Sequence, residues 1–169
     1  MSNLIQIVLQ VAVLAYAVVG GVFLAFSDFI MRALALTSGQ GGAEAMQVIN
    51  REVFRWVFMA LFLGMAAVSV LIAIASTGYI AAGPGVPLLT GALVYLLGCF
   101  AVTVFANVPM NEALSGLDVA TPAARDYWSR TYVPRWTWWN SVRAVACLTA
   151  SGLMLIGLVW LVEIEAKGP

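Results

Sequence analysis

Trp136-Thr137-Trp138-Trp139-Asn140-Ser141-Val142-Arg143 leads without a break into Ala144-Val145-Ala146-Cys147 and on to Val162, a run with no charged residue after Arg143. About 20 apolar residues in a helix cross roughly 30 Å of hydrocarbon, so Ser141–Val162 reads as a membrane span with an arginine just inside its mouth. Positions three, four and seven apart share a helix face. Trp136, Trp139, Asn140 and Arg143 therefore fall on one stripe, and that stripe is either an interfacial anchor or the wall of a binding site.

The rest of the chain agrees with a bilayer protein. Of its 169 residues 63% are hydrophobic and 9% charged, with a mean hydropathy of +0.98; soluble domains are about a quarter charged. Three further runs have membrane length, Leu4–Phe26, Phe54–Ser76 and Pro87–Ala106. None alternates with period two, so helices and not barrel strands are expected. The predicted fold is an all-α, integral membrane four-helix bundle forming a single domain over 1–169, with short interfacial helices in the first and third connections. Leu4–Phe26 is too long for the apolar core of a signal peptide and lacks a basic leader, so it reads as the first span.

Seven of the eight basic residues are arginines, Lys167 being the exception, and all seven lie in or beside the first and third connections. The positive-inside rule puts that side in the cytoplasm of a cell inner (plasma) membrane, with both termini and Thr77–Val86 outside. Most polar groups fall on the same side: Ser27, Asp28, Gln47, Asn50, Asn107, Asn111, Glu112, Asn140 and Arg143. The other half offers little beyond Gln6, Gln10, Tyr16, Thr77 and Tyr79.

Local signals refine the connections. Asp28 to Leu36 can continue the first helix, and Ser38-Gly39-Gln40-Gly41-Gly42 breaks it. Glu44 to Arg55 then resumes helical spacing and is expected to run into the second span uninterrupted. Pro109 cannot donate to the carbonyl of Phe105, so a kink or helix end is expected there. Thr121-Pro122 has the form of an N-cap followed by an N1 proline, opening a short interfacial helix through about Tyr132.

Several functions are excluded by residue type. With no His, the commonest general base, the commonest metal ligand and bis-His haem ligation are all missing. Cys99 and Cys147 form no CxxC pair, which argues against a redox motif, a zinc site and a disulfide-forming quinone enzyme. No span carries the mid-membrane acid that a proton-coupled exporter needs, and one isolated arginine does not make an ion pathway. No basic block exists to track a phosphate backbone, so nucleic acid is excluded as a partner.

Two readings of the polar residues stand side by side. Taken singly, Trp128, Tyr132, Trp136, Trp138 and Trp139 match an aromatic belt with arginines snorkelling to headgroups. Arg143 lies too deep to face lipid cheaply, so it is expected to point inward, paired with Asp28, Glu112 or an amide. Asn107, Asn111, Gln47 and Asn50 match ordinary interhelical hydrogen bonding. Polar groups from four segments at one depth also match a cavity between helices.

Phe26-Ser27-Asp28-Phe29-Ile30-Met31, Met46-Gln47-Val48-Ile49-Asn50, Asn107-Val108-Pro109-Met110-Asn111 and Trp136…Trp138-Trp139-Asn140-Ser141-Val142-Arg143 resemble, in order and placement at span ends, the anthrone oxygenase-like family of small four-span membrane proteins. The resemblance covers nearly the whole chain. It implies a cofactor-independent oxygenase of anthrone-like polycyclic phenols, with no metal and no cofactor. On that basis Arg143 is expected to stabilise the oxyanion, with Asn140 and Asn107 or Asn111 as neutral donors. Trp136, Trp138 and Trp139 supply stacking surface, Gln47 and Asn50 complete the binding set, and Asp28, ahead of Glu112, is the expected base. The competing expectation is a non-catalytic membrane protein that binds a lipid, quinone or amphipathic small molecule, or serves as a partner subunit. Expected partners are the lipid bilayer and a hydrophobic aromatic or amphipathic small molecule, with a homo-oligomer allowed.

Overall fold

Where the sequence is apolar for 20 residues or more, backbone groups must pair within their own segment, and the result is four long helices. In the computed structural model, which describes residues 3–167, these are α1 (Leu4–Ala35), α3 (Val57–Tyr79), α4 (Gly85–Ser115) and α5 (Pro122–Lys167), joined by one shorter helix, α2 (Gly41–Glu52). No strand occurs among the described residues. The protein is an all-helical, multi-pass membrane protein. Leu14, Leu71, Ile74, Val145 and Leu155 stand exposed along the spans, a surface that suits lipid and would aggregate in water.

Round the bundle the order is α1, α5, α4, α3, with α5 packed against both α1 and α4. Close approach depends on small residues: a Cβ added at Gly98 would stand 2.7 Å from the Ala146 Cβ, and one at Gly20 would stand 3.0 Å from the Cys147 Cβ. Without a hydrophobic effect between helices in lipid, such packing and interhelical hydrogen bonds hold the bundle. Tyr16 and Ser69 share a 2.6 Å hydroxyl bond, and the Tyr95 hydroxyl donates to the Phe62 carbonyl at 2.9 Å.

At 1.5 Å per residue, the 46 residues of α5 measure about 70 Å, far more than a bilayer core. Its N-terminal part projects beyond the span and forms a cap with the C-terminal turns of α1 and α4 and with α2. Met31, Met46, Leu114, Tyr132 and Trp136 make the buried centre of this cap, separate from the core between the spans.

Three details depart from the sequence expectation. The helix opened by Thr121, whose hydroxyl accepts the Ala124 N–H at 3.2 Å, does not stop near Tyr132 but continues as α5. Of the kink or helix end expected at Pro109, the helix end is not found: a π-helical turn at Thr103–Asn107 widens the helix just before the proline, and the chain stays helical to Ser115. The segment from Glu44 does not run into the second span. It ends at Glu52, passes an extended Arg55 (ψ 145°) and restarts at Trp56. The reason is docking: the Gln47 amide donates to the Leu114 and Leu117 carbonyls at 2.8 and 3.0 Å, which ties α2 to the end of α4 and off the α3 axis.

Candidate functional site

Beneath the cap lies a cavity of about 260 Å³, near the lower end of the roughly 300–1,000 Å³ usual for ligand sites. Its walls are aromatic and aliphatic: Phe23 and Phe26 from α1, Phe58 and Phe62 from α3, Phe100 from α4 and Trp136 from α5. The polar groups are few: Arg143, Thr103, Asn50 and Asn111. The exposed residues along its edge, Val22, Phe54, Leu63 and Val104, are all apolar.

Four π-helical segments occur among the described residues, at Phe26–Ile30, Tyr95–Ala101, Thr103–Asn107 and Tyr127–Tyr132. Such turns are rare and concentrate at functional sites. Here they place Phe26, Phe100, Thr103 and Val104 on the cavity wall.

Arg143 is the centre of the site. It is 5% exposed, and its guanidinium lies 4.1 Å from the Phe23 ring centroid and 5.3 Å from that of Trp136. Its NH1 donates to the Thr103 hydroxyl at 3.2 Å and its NH2 to the Asn140 Oδ1 at 2.6 Å. Of the five N–H donors a guanidinium carries, three have no partner among the described residues, the Nε–H among them. No carboxylate among the described residues pairs with it. Burial of an unpaired cation costs several kcal/mol, and buried charges are normally paired. Of the three partners expected, Asp28, Glu112 or an amide, the structure gives the amide, that of Asn140, and neither acid pairs with Arg143.

Asn140 sits behind the arginine, not in the cavity. It is fully buried, and its Nδ2 donates to the Phe23 carbonyl and the Ser27 hydroxyl, each at 2.6 Å. Those two donations fix the amide's orientation, so Oδ1 must face Arg143. Ser141 buttresses Ser27 at 3.0 Å. A polar chain from α1 thus aims the guanidinium across the cavity.

The other sequence candidates divide. Trp136 lines the cavity. Asn111 lines it too, its Oδ1 accepting the Tyr132 hydroxyl and the Trp136 indole N–H, both at 2.8 Å. Asn50 lines it with its Nδ2 donating to the Tyr132 hydroxyl at 3.3 Å. Asn107 lies behind Trp136, donating to that residue's carbonyl at 3.3 Å. Gln47 is spent on the α4 terminus. Trp138 is 67% exposed and Trp139, at the edge of the stripe, 39%; neither reaches the cavity. Asp28 is exposed and lines a different, open recess with Ser27, Arg32, Thr137, Trp138 and Ser141. It does not line the Arg143 cavity, and neither does the exposed Glu112. Sequence reasoning missed Thr103 and the phenylalanines. Thr103 sits alone in an apolar run, and its hydroxyl also satisfies itself on the Cys99 carbonyl at 2.8 Å.

A family model described as anthrone oxygenase matches residues 51–153, which takes in α3, α4 and α5 as far as Leu153. The chain belongs to this family. Neither the curated proteins nor the solved structures give a match. Within the family stretch fall Thr103, Asn107, Asn111, Trp136, Asn140 and Arg143. The α1 residues Phe23, Phe26 and Ser27, and Asn50 of α2, lie outside it.

Proposed function

We propose that this protein is an oxygenase of anthrone-type polycyclic phenols, and that it works by holding the substrate's enolate against Arg143. One observation carries this reading: a buried guanidinium with unspent donors and no carboxylate partner faces a cavity walled by aromatic rings. A flat aromatic bearing one anionic oxygen supplies what that cavity lacks, both the counter-charge and the stacking surface.

The chemistry asks little of the protein beyond this. Loss of a proton from the ring carbon opposite the carbonyl leaves an enolate whose negative charge rests mainly on oxygen. Arg143 stabilises that charge in a water-poor site, where oriented donors are worth most. The enolate passes one electron to O₂, and the radical and superoxide couple to form a C–O bond. A returning proton converts the peroxide anion to a hydroperoxide. Loss of water, taking the remaining C–H proton and the distal hydroxyl, leaves the second carbonyl. Anthrone and O₂ thus become anthraquinone and water.

No acid or amine lines the cavity, so the proton leaves to solvent or lipid headgroups and the arginine favours ionisation by stabilising the product anion. The apolar edge suits a substrate that arrives from the bilayer. The Lys/Arg asymmetry supports an inner-membrane location with the arginine-rich end in the cytoplasm. The test is O₂ uptake by purified protein supplied with an anthrone: acceleration that disappears in Arg143→Met supports the assignment, and equal rates for the two proteins refute it. That no carboxylate or amine able to take the proton lines the cavity favours one second reading, in which the same site binds an anionic lipid or amphipathic phenol without turnover; co-purified ligand with no O₂ uptake would select it.

A further inference from the structure

We infer that Asn50 and Asn111 form a second polar subsite of the cavity, which takes a neutral hydroxyl of the substrate other than the oxygen held by Arg143. This rests on the oxyanion reading of Arg143. The Asn111 Oδ1 accepts two donors, the Tyr132 hydroxyl and the Trp136 indole N–H. Only an oxygen can do that, so the amide orientation is fixed and its Nδ2 is left without a partner among the described residues. Tyr132 has given its single proton to Asn111, so its oxygen can only accept from Asn50. That makes the 3.3 Å contact an Asn50 Nδ2 donation and leaves the Asn50 Oδ1 without a partner among the described residues. Both residues line the cavity, and Tyr132 itself is locked between Trp128 and Trp136, ring centroids 5.4 and 6.1 Å away.

Two residues of the cavity lining thus carry one amide donor and one amide acceptor that have no partner among the described residues. A hydroxyl uses both, accepting from Asn111 and donating to Asn50. A carbonyl or ether uses only the donor, and a phenolate would meet the Asn50 oxygen with like polarity. Arg143 selects an anion and the amide pair selects a neutral hydroxyl, so the site orients a polycycle with two oxygen substituents. A bare ring system leaves the amides unpaired, which is the strongest form of rejection a polar site has.

The experiment uses the full chain in detergent under anaerobic conditions, with quenching of tryptophan fluorescence read against three probes. These are anthrone, an anthrone with one phenolic hydroxyl on an outer ring edge, and the methyl ether of that phenol. The phenol is expected to bind about tenfold more tightly than the ether or the parent, as one or two neutral hydrogen bonds provide. Asn50→Leu is expected to erase the difference. Equal affinities of phenol and ether for the unsubstituted protein overturn the subsite, whatever the variant does. If the preference is absent but parent anthrone still loses affinity in Arg143→Met, the subsite fails and the oxyanion reading stands. If Arg143→Met changes nothing, or no probe binds, both fail.

Discussion

Replacing Arg143 with methionine separates a binding residue from a strut. The guanidinium gives hydrogen bonds to Thr103 and Asn140. Bonds to a charged group contribute about 1.5–3 kcal/mol each, so deleting both would destabilise by roughly 3–6 kcal/mol if nothing else changed. Against this stands the desolvation of a cation that no carboxylate offsets, several kcal/mol that the substitution releases. Methionine keeps contact with Phe23 through a flexible apolar chain, and Asn140 stays in place through its bonds to the Phe23 carbonyl and Ser27. The opposing terms are of similar size, so unfolding stability is expected to change by no more than about 2 kcal/mol. Truncating a true buried ion pair would instead cost about 3–5 kcal/mol. The effect on the reaction has no such compensation: loss of an oxyanion donor costs about 2.7–4 kcal/mol, or roughly 10²–10³ in rate. Thermal unfolding and O₂ uptake, measured for both proteins in one detergent, read the two effects separately. A stability loss of ion-pair size with turnover per folded molecule unchanged would refute the reasoning and make Arg143 structural.

Other outcomes follow from the same geometry. Thr103→Val, close in shape, removes the acceptor of NH1 and should lower turnover about tenfold or more and stability by about 1.5–3 kcal/mol, the worth of one bond to a charged group; unchanged turnover would mean that Asn140 alone positions the arginine. Asp28→Asn should leave O₂ uptake unaltered, since Asp28 lines the separate recess, and a large loss would restore it as the base. Leu63→Trp, at the apolar edge of the cavity, should slow association of a ligand preloaded into lipid nanodiscs in stopped-flow fluorescence; an unchanged rate would place the access route elsewhere. Ser38→Cys should react with a membrane-impermeant thiol label only after the cell is opened, because Ser38 is exposed at the arginine-rich end while Cys99 and Cys147 are buried. Labelling of intact cells would invert the topology.

The sequence by itself determined the four spans, the arginine-rich end and the inward aim of Arg143. These follow from hydrophobic length, from charge bias and from the high cost of facing a cation to lipid, all of which are local quantities. It also placed Trp136, Asn140 and Arg143 on one helix stripe, since three- and seven-residue spacings survive in any regular helix. Only the tertiary structure decided what that stripe meets. Asp28 and Asn140 come from segments equally close to the site in sequence pattern, yet Asp28 falls in an outer recess while Asn140 is gripped by Phe23 and Ser27. Gln47 and Asn50, three residues apart on α2, take opposite fates because the end of α4 claims the first and Tyr132 the second. The π turns that bring Phe26, Phe100 and Thr103 to the wall have no local signature. Each is a register change tolerated because packing between helices stabilises it, and packing is a property of the assembled bundle and not of any one segment.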